Sequence, residues 1–198
     1  ASVSKLITAA GIMVLQEQEL LSIKDTVFGQ YGILNDSTYM SLIRDKDYHK
    51  ITVEHLLRHQ GGFSRDPLFS SREVMTQLRL DHAPEKEDFY KVVLTRPLRF
   101  TPGTWQRYSN FGYLVLSDVI EKVSGMPYEK FIQEKVLRPA GCFDMHIATN
   151  YYEERHPLWD AFFALAAVFI LLVAVLILIA VFVAVLILIL SVILIAIL

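Results

Sequence analysis

Residues 161–198 are drawn only from Ala, Phe, Leu, Val, Ile and a single Ser, so every Lys, Arg, Asp and Glu of the chain falls in residues 1–160. No single soluble core can use a sequence divided in this way, and the two parts need separate readings. As one helix the apolar run would measure about 57 Å, at about 1.5 Å per residue, against a bilayer hydrocarbon core of about 30 Å. It contains no Gly, Pro, Asn or charge to turn a hairpin. Ala174–Ile179 recurs at 184–189, a ten-residue period that matches neither a heptad nor a solenoid repeat. Two readings stay open: a transmembrane segment within residues 158–198, flanked by Tyr151, Tyr152 and Trp159 as an interfacial belt, or a low-complexity sequence foreign to the domain before it.

The front part has ordinary composition. Its 19 basic and 21 acidic residues make it a quarter charged, the usual level for a soluble domain. The net charge of −2 supplies no basic field for nucleic acid, and no nucleic-acid partner is expected. The six His form no H-E-x-x-H or similar ligand pattern and Cys142 stands alone, so neither a metal nor a cofactor is expected. Nothing in the sequence sets an oligomeric state.

The pattern is mainly helical. Val3, Leu6, Ile7, Ala10, Met13 and Val14 recur at helical spacing from Ser2 to Leu20, with Ala9 and Ile12 on the other side, which predicts a largely buried helix. Thr52 is a candidate N-cap for a helix through His59 that Gly61-Gly62 would end. A long helix is expected over 109–124, with Phe111, Leu114, Ile120 and Val123 inside and Gly125 terminating it. Pro127 opens another, carrying Tyr128, Phe131, Ile132 and Lys135 on one face. Pro84, Pro97 and Pro102-Gly103 mark intervening loops, and strand signals are sparse.

The chemistry lies in short strings. Ser2-Val3-Ser4-Lys5 is an S-x-x-K at a helix start, which puts Ser2 and Lys5 one turn apart on one face. A serine hydroxyl becomes a good nucleophile only when a neighbour takes its proton, a task suited to an amine in partly desolvated surroundings. By itself the tetrapeptide more often means a helix cap followed by a solvated lysine. About a hundred residues later, Pro102-Gly103 leads into Tyr108-Ser109-Asn110. Tyr108 could share the proton of Ser2 and return it to a leaving group, and Asn110 could hydrogen-bond both Lys5 and a substrate carbonyl. A core tyrosine and a capping asparagine are the alternative.

These strings, with 51–62 (ITVEHLLRHQGG), 9–13, 20–27 and 119–128 leading to 136–141, resemble the β-lactamase-related serine hydrolases, a family of class C β-lactamases, D-alanyl-D-alanine carboxypeptidases and esterases of the same fold. The resemblance runs from Ala1 to about Pro157, so residues 1–157 are read as a partial domain and 158–198 as the hydrophobic segment. It implies the helical portion of a β-lactamase/penicillin-binding-protein-like α+β fold, followed by the long apolar helix. It also implies an acyl-enzyme on Ser2, proton handling by Lys5 and Tyr108, substrate contact by Asn110, and a β-lactam, D-Ala-D-Ala peptide or small ester as substrate. His59 would be a structural support. By the same resemblance the protein belongs in a bacterial periplasm or at a membrane, although no signal peptide is present in the given residues. The family's third string, Lys or His followed by Ser/Thr and Gly, does not occur after Tyr108, so impaired catalysis is expected, with a non-catalytic, membrane-attached remnant as the other reading.

Overall fold

The computed structural model describes residues 2–147. Their longest helix, α6 (Asn110–Ser124), is defined at both ends by local chemistry. The Ser109 hydroxyl accepts from the Gly112 N–H at 3.0 Å, and Gly125 takes the left-handed conformation (φ 66°) that ends the helix without a Cβ clash. Between those ends Phe111, Val115, Leu116, Val119 and Ile120 are completely buried. This is the i, i+4, i+5, i+8, i+9 stripe of a helix sunk into a core.

α1 (Ser4–Glu17) crosses α6 and α7 (Tyr128–Ile132). The sequence expectation misassigned its face. Thr8, Gly11, Ile12 and Leu15 are buried, whereas Val3 and Leu6 are 74% and 72% exposed and Met13 is also exposed. The first turns are apolar all round, so periodicity alone does not choose a side. Gly11 chooses it: a Cβ there would lie 2.8 Å from Ile132 Cδ1 and 3.1 Å from Ile120 Cδ1, and only the glycine side admits so close an approach.

Shorter helices complete the frame: α2 (Ser37–Met40), α3 (Val53–Leu57), α4 (Ser71–Leu78) and α5 (Lys86–Leu94), with 3₁₀ turns at Lys46–Lys50 and Pro67–Phe69 and a π turn at Gln133–Leu137 after α7. α5 stands where the sequence pointed to loop. Pro84 and Pro97 bracket it rather than interrupt it, and a capping box between Glu85 and Asp88 starts it. Its Tyr90, Val92 and Leu94 are completely buried. α3 is capped by Thr52 as expected, but it ends at Arg58, and His59 rather than Gly61 is the first left-handed residue (φ 58°). Pro127 is the N-cap of α7, one position ahead of the expected one. Among the described residues, extended pairing is limited to isolated bridges, Thr26 with Thr52 and Phe28 with Leu34. None of their helices is long and apolar enough to cross a membrane, and the apolar run at 161–198 lies outside them.

Candidate active site

Ser2 lies in the turn that leads into α1, with its carbonyl accepting from the Lys5 N–H at 3.1 Å. Its hydroxyl meets the Tyr108 phenol at 2.6 Å, across 106 residues of sequence. Lys5 sits in the first turn of α1 and donates from Nζ to Asn110 Oδ1 at 2.7 Å. The same ammonium stands 5.0 Å from the centre of the Tyr108 ring and 5.5 Å from that of Tyr113, within range of cation–π attraction. The four side chains singled out in the sequence therefore meet at one place, the junction of the α1 and α6 N-termini.

The arrangement acts on Tyr108. Hydrogen bonding to Lys5, then to Ser2, holds its phenol below the ordinary tyrosine range, against smaller opposing effects of burial and the Asp66 charge. Tyr108 is 44% exposed, so solvent moderates these effects. Lys5 is bonded to a neutral amide rather than a carboxylate, which leaves its charge free to favour a phenolate.

Two residues outside the quartet hold the 108–110 segment. His59 Nδ1 accepts from the Ser109 N–H at 3.2 Å, its carbonyl accepts from the Arg107 N–H at 2.8 Å, and its ring lies 4.6 Å from that of Tyr108 and 5.1 Å from that of Tyr113. Burial, and next the Lys5 charge, hold its imidazole below the usual histidine value. A neutral ring with a bare Nδ1 facing a backbone donor is a support, not a base aimed at Ser2. Asp66 is the residue that the sequence analysis missed. Its Oδ2 accepts from Ser109 Oγ at 3.0 Å, from the Phe111 N–H at 2.9 Å and from the Asn110 N–H. Tyr113 was missed too, although its place one turn after Asn110 was a readable signal.

Phe69 is 69% exposed and its ring centre lies 6.4 Å from that of Tyr108. It offers an apolar wall beside the hydroxyl pair. Among the described residues, no three or more His, Cys, Asp or Glu side chains converge as metal ligands.

The chain has known counterparts. The sequence profile of the family described as Beta-lactamase matches residues 1–161. A D-alanyl-D-alanine carboxypeptidase candidate of Escherichia coli (strain K12) is 29% identical over 96 residues, 48% of this chain and 21% of that protein. The chain thus spans about a fifth of the length of the curated relatives it matches. A D-stereospecific amidohydrolase from Streptomyces sp. superposes with a TM-score of 0.54 at 27% identity, over 71% of this chain and 41% of that one. An octameric penicillin-binding protein homologue from Pyrococcus abyssi gives 0.54 at 27% identity, over 78% and 33%.

Proposed function

This chain belongs to the β-lactamase family, and from that premise we propose that it is a serine hydrolase acting through an acyl-enzyme on Ser2. The observation that carries the proposal is the paired contact of Ser2 with Tyr108 and of Lys5 with Asn110. Ser2 Oγ attacks the carbonyl carbon of a β-lactam, a D-Ala-D-Ala peptide or a small ester. Its proton passes to the Tyr108 oxygen, whose negative charge the Lys5 ammonium stabilises. When the tetrahedral adduct collapses, Tyr108 returns the proton to the departing nitrogen or oxygen, leaving an ester on Ser2. Water then attacks that ester, with Tyr108 and Lys5 again handling the proton. Asn110 holds Lys5 and can bond the substrate's own amide. The carboxypeptidase and amidohydrolase relatives support acyl substrates of this class.

Labelling with a fluorescent penicillin or a fluorophosphonate tests the assignment. The label disappears in Ser2→Ala, falls about 10²- to 10⁴-fold in rate in Lys5→Ala and survives in Ser4→Ala. An adduct mapped to a different serine overturns it.

Turnover by the 198-residue chain on its own is slow in this reading. No Lys or His followed by Ser/Thr and Gly occurs after Tyr108, and Ser2, Val3 and Leu6 are exposed. Absence of one oxyanion donor costs about 10²- to 10³-fold. Slow nitrocefin hydrolysis that Ser2→Ala abolishes is the expected trace, and multiple rapid turnovers would contradict it.

A second reading, a non-catalytic membrane-attached remnant, is favoured by the uncharged run at 161–198. It keeps residues 1–157 as the partial domain, 158–198 as the anchor and a bacterial envelope as the location. In this reading the full chain pellets with vesicles through a carbonate wash, a chain ending at Asp160 does not, and neither forms a Ser2 adduct.

A further inference from the structure

Asp66 is used by no step above, yet its carboxylate serves two segments at once. Oδ1 accepts from the Leu68 N–H at 3.0 Å and caps the Pro67–Phe69 turn. Oδ2 takes the Ser109 hydroxyl and the first two N–H groups of α6, Asn110 and Phe111. The N-terminal N–H groups of a helix have no partner within the helix and carry its positive end, so a carboxylate there is held strongly and holds in return. The α6 start is the segment that presents Tyr108 to Ser2 and Asn110 to Lys5, and the other capped segment carries Phe69, the ring beside Tyr108.

We propose that Asp66 is the positioning residue of this site: one carboxylate, shared between the 67–69 turn and the start of α6, fixes Asn110 where it can take the Lys5 ammonium and keeps Phe69 against Tyr108. The proposal rests on the reading of Ser2 and Lys5 as the acylation pair. An amide cannot replace this carboxylate. An asparagine that turned its oxygen to α6 would point its NH₂ at the Leu68 N–H, and one turned the other way would face three donors with a fourth.

The test is a double-mutant cycle on the full chain in detergent, using Asp66→Asn, Asn110→Ala and both together. The first readout is the rate at which trace acetic anhydride acetylates Lys5, relative to the exposed Lys130, measured by mass spectrometry. Asp66→Asn raises it about fivefold, the net worth of one hydrogen bond, Asn110→Ala does the same, and the pair adds little to either alone. The second readout is amide exchange: Asn110 and Phe111 exchange at least about tenfold faster in Asp66→Asn, while Val92 and Val93 in α5 keep their protection. A general loss of structure would move both pairs. If Asp66→Asn does not fold, Asp66→Glu, which keeps the charge but displaces it by one methylene, is read in the same way. Unchanged Lys5 reactivity in the Asp66 variant, or effects that multiply in the double variant, overturn the proposal. Neither readout requires Ser2 to react, so a chain that takes no acyl label refutes the nucleophile assignment while the cycle still decides the role of Asp66.

Discussion

Among the described residues, the α1–α6 junction and the α5–α6 contact each set a lysine beside a tyrosine, and they treat the tyrosine in opposite ways. At the α1–α6 junction Lys5 donates to Asn110 at 2.7 Å beside the 44% exposed Tyr108. On the far part of α6 Lys86 donates to Asp118 at 2.8 Å, and Tyr90, completely buried, donates to the other oxygen of that carboxylate at 2.6 Å. Tyr108 is pushed down, chiefly by Lys5 and Ser2. Tyr90 is pushed well up, first by burial and then by Asp118. The two phenols thus differ first in burial and next in the charge that reaches each of them. A carboxylate cancels the charge and turns the phenol into a donor locked in a structural network, whereas an amide bonds the ammonium without cancelling it. The tyrosine with the lowered phenol is the one whose lysine has a neutral partner and whose oxygen meets solvent and a serine.

The sharpest way to break this contrast is to make the first place resemble the second. Asn110→Asp keeps the geometry but pairs Lys5 with a carboxylate, so Tyr108 loses the charge that favours its phenolate. Five groups bear on that phenol: Lys5 and Ser2 by contact, His59 by its ring, Asp66, whose charge already opposes ionisation, and Tyr113, whose own ionisation the Tyr108 charge opposes. A proton acceptor must be deprotonated, so a lowered phenol lets acylation begin at lower pH and a raised one delays it. Acylation of Ser2 near neutrality should fall about 10²- to 10⁴-fold, the range of a lost general base. The rising limb of the rate–pH profile should also move to higher pH. A profile that stays in place while the rate drops would assign the loss to substrate contact by Asn110 instead.

The reverse experiment is at Asp118. Asp118→Ala leaves the buried Tyr90 hydroxyl without an acceptor and releases Lys86, which also lies 3.5 Å from Glu121. The side chain of Asp118 is 12% exposed and that of Lys86 40%, so this is a half-buried pair. The expected cost is about 2–3 kcal/mol, the value for stranding a buried polar group with partial relief from solvent. Urea unfolding measures it. In the folded fraction the rate of Ser2 labelling stays unchanged, because the network touches none of the four site residues. A parallel loss of labelling would show that the two places are coupled through α6.

How much of this was readable in the sequence follows from how local each determinant is. α6 was legible because Ser109 and Gly125 are its own neighbours, whereas the S-x-x-K and Y-S-N strings became candidates only through the family resemblance, since each taken alone reads as well as a helix cap. α5 was hidden because Pro84 and Pro97 read as loop markers until the Glu85–Asp88 capping box between them is seen to start a helix. The inward face of α1 was misassigned because Val3, Leu6 and Met13 are as apolar as Ile12 and Leu15, and only a neighbour close enough to need Gly11 decides between them. Asp66 was beyond reach: Asp-Pro announces a local turn, but nothing in its surroundings announces the helix start 43 to 45 residues later that its second oxygen caps. The contrast of the two lysines was hidden for the same reason, since Lys5 and Asn110 are 105 residues apart.

The smallest expected effect concerns the other ring at the site. His59 is held below its ordinary value by burial first and by Lys5 second, with the Ser109 contact and the Asp66 charge acting the other way. As pH falls through about 6.5, the ordinary histidine value, the unfolded chain binds a proton at this position that the folded chain resists. Stability therefore decreases on acidification and recovers as pH rises. A protonated Nδ1 would also face the Ser109 N–H with a donor, loosening the segment that carries Tyr108 and Asn110. His82 opposes this trend, because its bond to the Ala83 carbonyl raises its pKa and favours the proton in the fold. The comparison is therefore made between the wild-type chain and His59→Asn, in which His82 is common to both. Asparagine tolerates the left-handed backbone at this position and its carbonyl can accept from Ser109 without titrating. Between pH 7.5 and 5.5 the wild-type Tm should fall further than that of the variant by no more than about 2–4 °C, the change that about 1 kcal/mol produces in a chain of this size. A larger fall in the variant would reverse the sign and place the imidazole among groups that gain a proton on folding, which a bare Nδ1 against a backbone N–H does not allow.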